Sequence, residues 1–479
     1  MLPPTFRNAW PPVWPPDDSM GNRSVLTLFC AVFLLNTCSA ALAETLDQEV
    51  AQQVNAYVRP MVEGKNFSGS ILIAKHGAIV FQQSYGMANY ELAVPNDART
   101  RFHIASISKS FTAAAILLLE QRGKLSVNDP LTKFVPDYPS GEKITVHHLL
   151  THRSGIPNVN DLPEYADKSK SRLSLPEIID LFKNKPLQFA PGSRFHYSNS
   201  NYNLLAFIIE KVSGTTYGDF LRDNIFRPLG MNDTADDPGT GALIPNRASG
   251  YVPVRMDDIE NAPYLNWSIK RGNGSLYSTA ADLYKWDRAL YADKVLNRTE
   301  RDKMFTDYGG FGYGWFVRKH SGRRVTSITG RSPGFTSSLE RFIDDDLCII
   351  VTANTYSGIT QSLSDDLAAI VFGEKYEQVP APAKIAPEHL QAYVGRYQFD
   401  QDFTYNPGTT VSIEKDGDEL LMRVGGDASY LIPRSETSFT DRLYGGVVTF
   451  KRGADGSVSE LTWNFGKDFA AKKLGAAKP

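Results

Sequence analysis

The chain has 479 residues, a formal charge of −2 at pH 7 and 42% hydrophobic residues. This is the composition of a soluble globular protein with sequence for two or three domains and a large core. The near-neutral balance argues against a nucleic-acid partner or an anionic membrane surface.

The first segment reads as export. Arg23 precedes the apolar run Val25 to Leu35, and Ala41-Leu42-Ala43 supplies small residues for cleavage. The run is too short to span a bilayer, so no stable membrane span is expected in the mature chain. Residues 1–19, with Trp10, Trp14 and paired prolines, do not fit a signal n-region, which makes Met20 a second candidate start beside Met1. Lipidation at Cys38 ranks below cleavage near Ala43, because Thr37 is bulky for that processing. The expected location is periplasmic or secreted. Of Cys30, Cys38 and Cys348, cleavage leaves only Cys348, so no disulfide is expected. Cys348 reads as a small core residue.

A hairpin follows, Ser70 to Lys75 and Ala78 to Ser84 around His76-Gly77. Ser106-Ile107-Ser108-Lys109 then opens an apolar helix, Ser110 to Glu120, which stops at Arg122-Gly123. A serine and a lysine three residues apart share one helix face. That places an amine beside a hydroxyl, as a serine nucleophile without a histidine partner requires. The helix is apolar nearly all round, hence buried. The alternative is an N-cap serine followed by a solvated lysine. Tyr197-Ser198-Asn199 precedes the apolar helix Tyr202 to Val212. A phenol beside Lys109 can serve as general base with the ammonium stabilising the phenolate. Asn199 can hold Lys109 or a substrate carbonyl. The alternative is a buried tyrosine beside an asparagine N-cap. His148 and His152 have helical metal-ligand spacing, but no nearby Glu completes a metallopeptidase motif, so no metal is expected.

Strand patterns return at Tyr313 to Arg318, Arg324 to Thr329, Phe335 to Ile343 and Leu347 to Thr352, followed by a helix from Ser362 to Phe372. With the early hairpin they suggest an α+β fold: one antiparallel sheet flanked by helices, with a helical region inserted. Val379 to Pro387 has the composition of a linker. Beyond it, short strands at Tyr393 to Tyr397, Val411 to Ile413, Glu419 to Arg423, Val447 to Phe450 and Leu461 to Phe465 suggest a small, barrel-like all-β domain. The expected division is 1–43, upstream extension and signal peptide; 44–378, catalytic domain; 379–387, linker; and 388–479, C-terminal β domain.

Several stretches together resemble the class C β-lactamase and D,D-peptidase family of serine hydrolases, which includes esterases and D-aminopeptidases. They are Phe102 to Phe111, Gly123 to Pro130, Leu149 to Gly155, Tyr197 to Asn199, Phe226 to Met231, Ser278 to Leu283 and Phe311 to Trp315. The resemblance covers about residues 50–375. It implies Ser106 as nucleophile, with Lys109 and Tyr197 sharing proton transfer. It also implies substrate contacts from Asn199, Thr329, Gly330 and Arg331, an oxyanion hole from the backbone N–H groups of Ser106 and Arg331, and no cofactor. The family's third motif is Lys-Thr-Gly or His-x-Gly. Here it is Ile328-Thr329-Gly330, so the cationic or imidazole group that helps hold a substrate carboxylate is replaced by isoleucine. Arg331 offers replacement charge but, three residues on, faces the other way in a strand. The expected function is an exported esterase or peptidase acting on a small ester or D-amino-acid peptide. A true β-lactamase and a non-catalytic penicillin- or peptide-sensing domain follow in that order. The expected partner is a small molecule or short peptide, the oligomeric state stays open, and the C-terminal β domain serves either stability or substrate-size selection.

Overall fold

The structure, a computed structural model, describes residues 48–380, 382–400, 403, 408–425, 427–464 and 467–474. The expectations about the signal segment, the start residue, Cys30 and Cys38 lie outside them. Strands β1 (Gly69–Lys75) and β2 (Ala78–Tyr85) form the early hairpin. Its turn residues His76 and Gly77 both have positive φ, 51° and 78°, as a tight hairpin turn requires. The late strands are β3 (Phe316–His320), β4 (Arg323–Ser332), β5 (Phe335–Phe342) and β6 (Leu347–Ala353). All six form one antiparallel sheet in the order β3-β4-β5-β6-β1-β2, with Ile71 of β1 opposite Val351 of β6. The two ends of the catalytic region therefore close one sheet, and the intervening residues are an insertion.

Four helices build on this sheet: α1 (Ser108–Gln121), α2 (Asn199–Ser213), α3 (Ala280–Ala289) and α4 (Ile359–Phe372), of which α3 and α4 pack on its strands and α2 packs on α1. Strand side chains alternate between faces. Leu72, Ala74, Ile328, Leu339, Cys348 and Ile350 share one core with α1, α2 and α3. Helix α4 lies outside that core and packs on β5 and β6, so it covers the other face. Residues Ser108 to Leu119 of α1 are all buried, as an all-round apolar helix should be. Each large apolar side chain so buried contributes about 1.5–3 kcal/mol, which makes α1 a firm mount. The strand expected from Tyr313 starts at Phe316 instead. Gly314 turns the chain with a φ of 79°, and a Cβ there would lie 2.7 Å from the Lys109 carbonyl oxygen.

The C-terminal region is a closed eight-stranded barrel: β7 (Gly395–Phe399), β8 (Thr410–Asp416), β9 (Glu419–Val424), β10 (Asp427–Pro433), β11 (Ser438–Asp441), β12 (Val447–Arg452), β13 (Val458–Asn464) and β14 (Asp468–Lys473). Closure comes from β7 against β14, with Tyr397 opposite Lys473. Tyr393, Tyr397, Phe439 and Phe450 crowd its core. Strands β10, β11 and β14 were not expected from sequence. Strand β11 has four residues and β14 reads Asp-Phe-Ala-Ala-Lys-Lys, so neither shows a strong apolar alternation.

Barrel and catalytic region belong to one compact unit, Gln52–Pro479. The loop after β11 makes much of the junction. Arg442 is 2% exposed. Its guanidinium donates to Asn66 Oδ1 at 2.6 Å, the Asp258 carbonyl at 2.9 Å and the Gly64 carbonyl at 3.1 Å. The Gly358 N–H donates to the Leu443 carbonyl at 2.7 Å. Among the described residues no helix is long and apolar enough to cross a membrane.

Candidate active site

Ser106 lies in a 3₁₀ turn, Ala105–Ile107, immediately before α1. It does not cap the helix, because Ile107 holds the N-cap position. Its Oγ is 3.0 Å from Lys109 Nζ and 3.0 Å from the Tyr197 hydroxyl. Ala105 has a φ of 45°, in the left-handed region that L-residues with a side chain avoid. Such a conformation costs about 1–2 kcal/mol and persists only where neighbours impose it. Here the Ile104 N–H donates to the Leu276 carbonyl at 2.9 Å, and Ser337 Oγ donates to the Ile104 carbonyl at 2.8 Å. A Cβ on Gly330 would lie 2.2 Å from that same carbonyl oxygen, so β4 approaches this segment as only glycine allows.

Lys109 is fully buried. Its Nζ donates to Asn199 Oδ1 at 2.8 Å and to the Asn273 carbonyl at 2.7 Å. Asn199 Nδ2 donates to Asn160 Oδ1 at 3.0 Å, which orients its oxygen toward the lysine. Burial, and secondarily the positive charge of Lys270, push the Lys109 pKa well below its ordinary value. Burial pushes the Tyr197 phenol up, partly offset by its hydrogen bond to Ser106. Both groups are therefore driven to their neutral forms. The His152 ring lies 4.3 Å from the Tyr197 ring, and its Nδ1 accepts from the Ser198 N–H at 3.2 Å. His148 completes a capping box with Thr145, and His147 pairs with the Tyr313 hydroxyl at 2.7 Å. The three histidines thus serve the framework.

A cavity of about 340 Å³ opens on Ser106. One wall is Phe316, Thr329, Arg331 and Ser332; another is Asn160, Lys270, Asn273 and Gly274. Strand β3 pairs with β4 only as far as Ser327, so the outer edge of Ile328–Ser332 carries no partner strand. Ile328 is fully buried in the core shared with α1 and does not line the cavity. Gly330 does not line it either. Arg331 lines it, but its guanidinium is engaged: Nη2 donates to the Leu443 carbonyl of the barrel at 2.9 Å. The same group sits 4.3 Å from the Tyr356 ring and 4.7 Å from the Tyr444 ring. The structure thus gathers Ser106, Lys109, Tyr197, Asn199, Thr329 and Arg331 around one space. Sequence reasoning missed Lys270, Asn160 and Asn273. Lys270 ends a 3₁₀ turn, Trp267–Lys270, in irregular chain where no periodicity marks a face. Asn273 acts through its carbonyl, which no side-chain pattern reports.

Residues 52–372 match the family described as Beta-lactamase, and residues 379–478 match a Domain of unknown function (DUF3471). The chain belongs to the β-lactamase family of serine hydrolases. Within it, Penicillin-binding protein 4* of Bacillus subtilis (strain 168) is 29% identical over 454 residues, covering 88% of this chain and 98% of the relative. The octameric penicillin-binding protein homologue from Pyrococcus abyssi is 26% identical with a TM-score of 0.61, over 88% of this chain and 99% of that one. The D-amino acid amidase from Ochrobactrum anthropi SV3, complexed with L-phenylalanine amide, is 25% identical with a TM-score of 0.60, over 69% and 99%.

Proposed function

We propose that the protein is an exported hydrolase that cleaves a small ester or a D-amino-acid peptide through an acyl-enzyme on Ser106. One observation carries this reading: Ser106 Oγ lies 3.0 Å from both a buried lysine amine and a buried phenol. A neutral amine has two protons. Asn199 Oδ1 and the Asn273 carbonyl take both, so the lone pair faces Ser106 and accepts its hydroxyl proton. The Tyr197 hydroxyl donates to the same oxygen. In this reading Lys109 is the base and Tyr197 a neutral donor, in place of the phenolate–ammonium pair suggested by sequence.

Ser106 Oγ attacks the substrate carbonyl and its proton passes to Lys109. Backbone N–H groups of Ser106 and Arg331 stabilise the oxyanion. The proton goes on to the leaving alkoxide or amine, by way of Tyr197, as the acyl–oxygen or acyl–nitrogen bond breaks. Water then attacks the ester, gives its proton to Lys109, and Ser106 recovers a proton as the acid departs. The relative named as a D-amino acid amidase supports the cleavage of an amide. The apolar Ile328 speaks against a β-lactam carboxylate at that position, so a true β-lactamase ranks second. Export rests on the sequence from Arg23 to Ala43, and mature protein whose N-terminus is Glu44 would support it.

A fluorophosphonate probe tests the core of the reading. It is expected to label Ser106, with Ser106→Ala abolishing both labelling and turnover. Labelling that persists in Ser106→Ala overturns the assignment. A single turnover with a stable adduct on every ester tried would favour the ligand-sensing alternative.

A further inference from the structure

The cavity carries a charge imbalance that the acyl-transfer steps do not use. Among the described residues, Lys270 and Arg331 line it, and no aspartate or glutamate does. Lys270 is 6% exposed. Among the described residues its ammonium has no ion pair and no hydrogen bond, and its recorded neighbour is the Tyr165 ring at 5.4 Å. It is near enough to Lys109 to depress that amine. Arg331 is different, being held by the Leu443 carbonyl and two aromatic rings. A largely buried ammonium without a counter-charge is unfavourable, and an anion entering beside it relieves that cost. A substrate ammonium entering the same cavity meets like charge and no carboxylate.

We propose that Lys270 is an anion subsite, and that the natural substrate carries a carboxylate seated on its ammonium. With position 328 apolar and turned into the core, the positive charge of the site comes from a different chain segment, Trp267–Lys270. The proposal rests on the acyl-transfer reading of Ser106. It extends that reading by choosing anionic esters or amides over neutral ones, and both over substrates with a free amine.

The test compares esters of equal length on the full chain: p-nitrophenyl hexanoate, the p-nitrophenyl monoester of adipic acid, and p-nitrophenyl 6-aminohexanoate. A fourth ester, 3-carboxy-4-nitrophenyl hexanoate, moves the carboxylate to the leaving group. The ratio of kcat/KM between charged and neutral esters largely cancels effects on the Ser106 and Lys109 chemistry that they share. At least one carboxylate ester is expected to exceed its neutral counterpart tenfold or more, and the aminohexanoate to fall below it. Lys270→Met is expected to bring that ratio to about one, and Lys270→Glu to reverse the order of the adipate and aminohexanoate esters. A wild-type ratio near one for both carboxylate esters overturns the subsite and needs no variant. A ratio kept in Lys270→Met but lost in Arg331→Met overturns the assignment to Lys270. Fluorophosphonate labelling of the same preparations separates the two levels. Labelling at Ser106 without charge preference defeats only the subsite, whereas neither labelling nor turnover defeats the acyl-transfer reading beneath it.

Discussion

The segment Ala105–Lys109 gives the cavity Ser106 directly, whereas the loop Arg442–Gly446 bears on it only through Arg331. The first is built into the largest core. Its backbone is gripped at Ile104 by Leu276 and Ser337, and its lysine is fully buried. The second belongs to a barrel with an aromatic core of its own; its Leu443 carbonyl holds Arg331 of the cavity lining, and its Arg442 guanidinium ties the barrel to Asn66. Burial lowers the pKa of Lys109, so in the proposed reaction the first region supplies the base. The barrel loop adds no titrating group to the cavity lining and instead fixes where Arg331 lies. Chemistry and the shaping of the substrate space therefore rest on elements from distant parts of the chain.

The comparison is tested most severely at the proton-transfer pair. Lys109→Ala is expected to lower kcat about a thousandfold and Tyr197→Phe about a hundredfold. The double variant should be little worse than Lys109→Ala alone, because the two act as a unit. Steady-state kinetics on one ester decides it. Tenfold-or-smaller, additive losses would place both residues in the framework. At the barrel loop the expected cost is to stability. Arg442→Ala leaves the acceptors at Asn66, Asp258 and Gly64 without their buried donor. The predicted loss is about 3 kcal/mol, read as a lower denaturant midpoint. An unchanged midpoint would mean the loop merely rests on the catalytic region.

The smallest effect expected is on pH dependence. In the proposed reaction the base is neutral Lys109, whose pKa is lowered. As pH falls through that pKa the amine gains a proton and the rate declines, which gives an acid limb. Lys270→Met removes a like charge, raises the Lys109 pKa and moves the limb to higher pH. A limb in kcat/KM that stays in place would show that burial alone sets the base.

Much of this arrangement was legible in the residues. Ser106 and Lys109 stand one turn apart where a helix apolar all round begins, and residue spacing and periodicity report both facts. The hairpin and the four late strands gave the sheet. What escaped was whatever depends on approach in three dimensions. The positive φ of Ala105 is invisible because alanine there looks like a helix former. Ile328 stood out as a missing charge, but that its side chain belongs to the core needed the register of β4 against β5, where it faces Leu339. Arg331 looked like spare charge until the barrel loop came to rest on it. Lys270 lies in irregular chain and becomes a candidate only because the cavity wall folds past it.

Arg442 has a consequence for recombination between relatives. A crossover in the stretch 379–387 would bring the arginine from one parent and Asn66, Gly64 and Asp258 from the other. The junction would then be mismatched although both halves were individually sound. Chimeras that exchange barrels should keep activity only when the loop around Arg442 and its receiving residues near positions 64–66 and 258 come from the same parent, so these segments are inherited as one unit despite their distance along the chain.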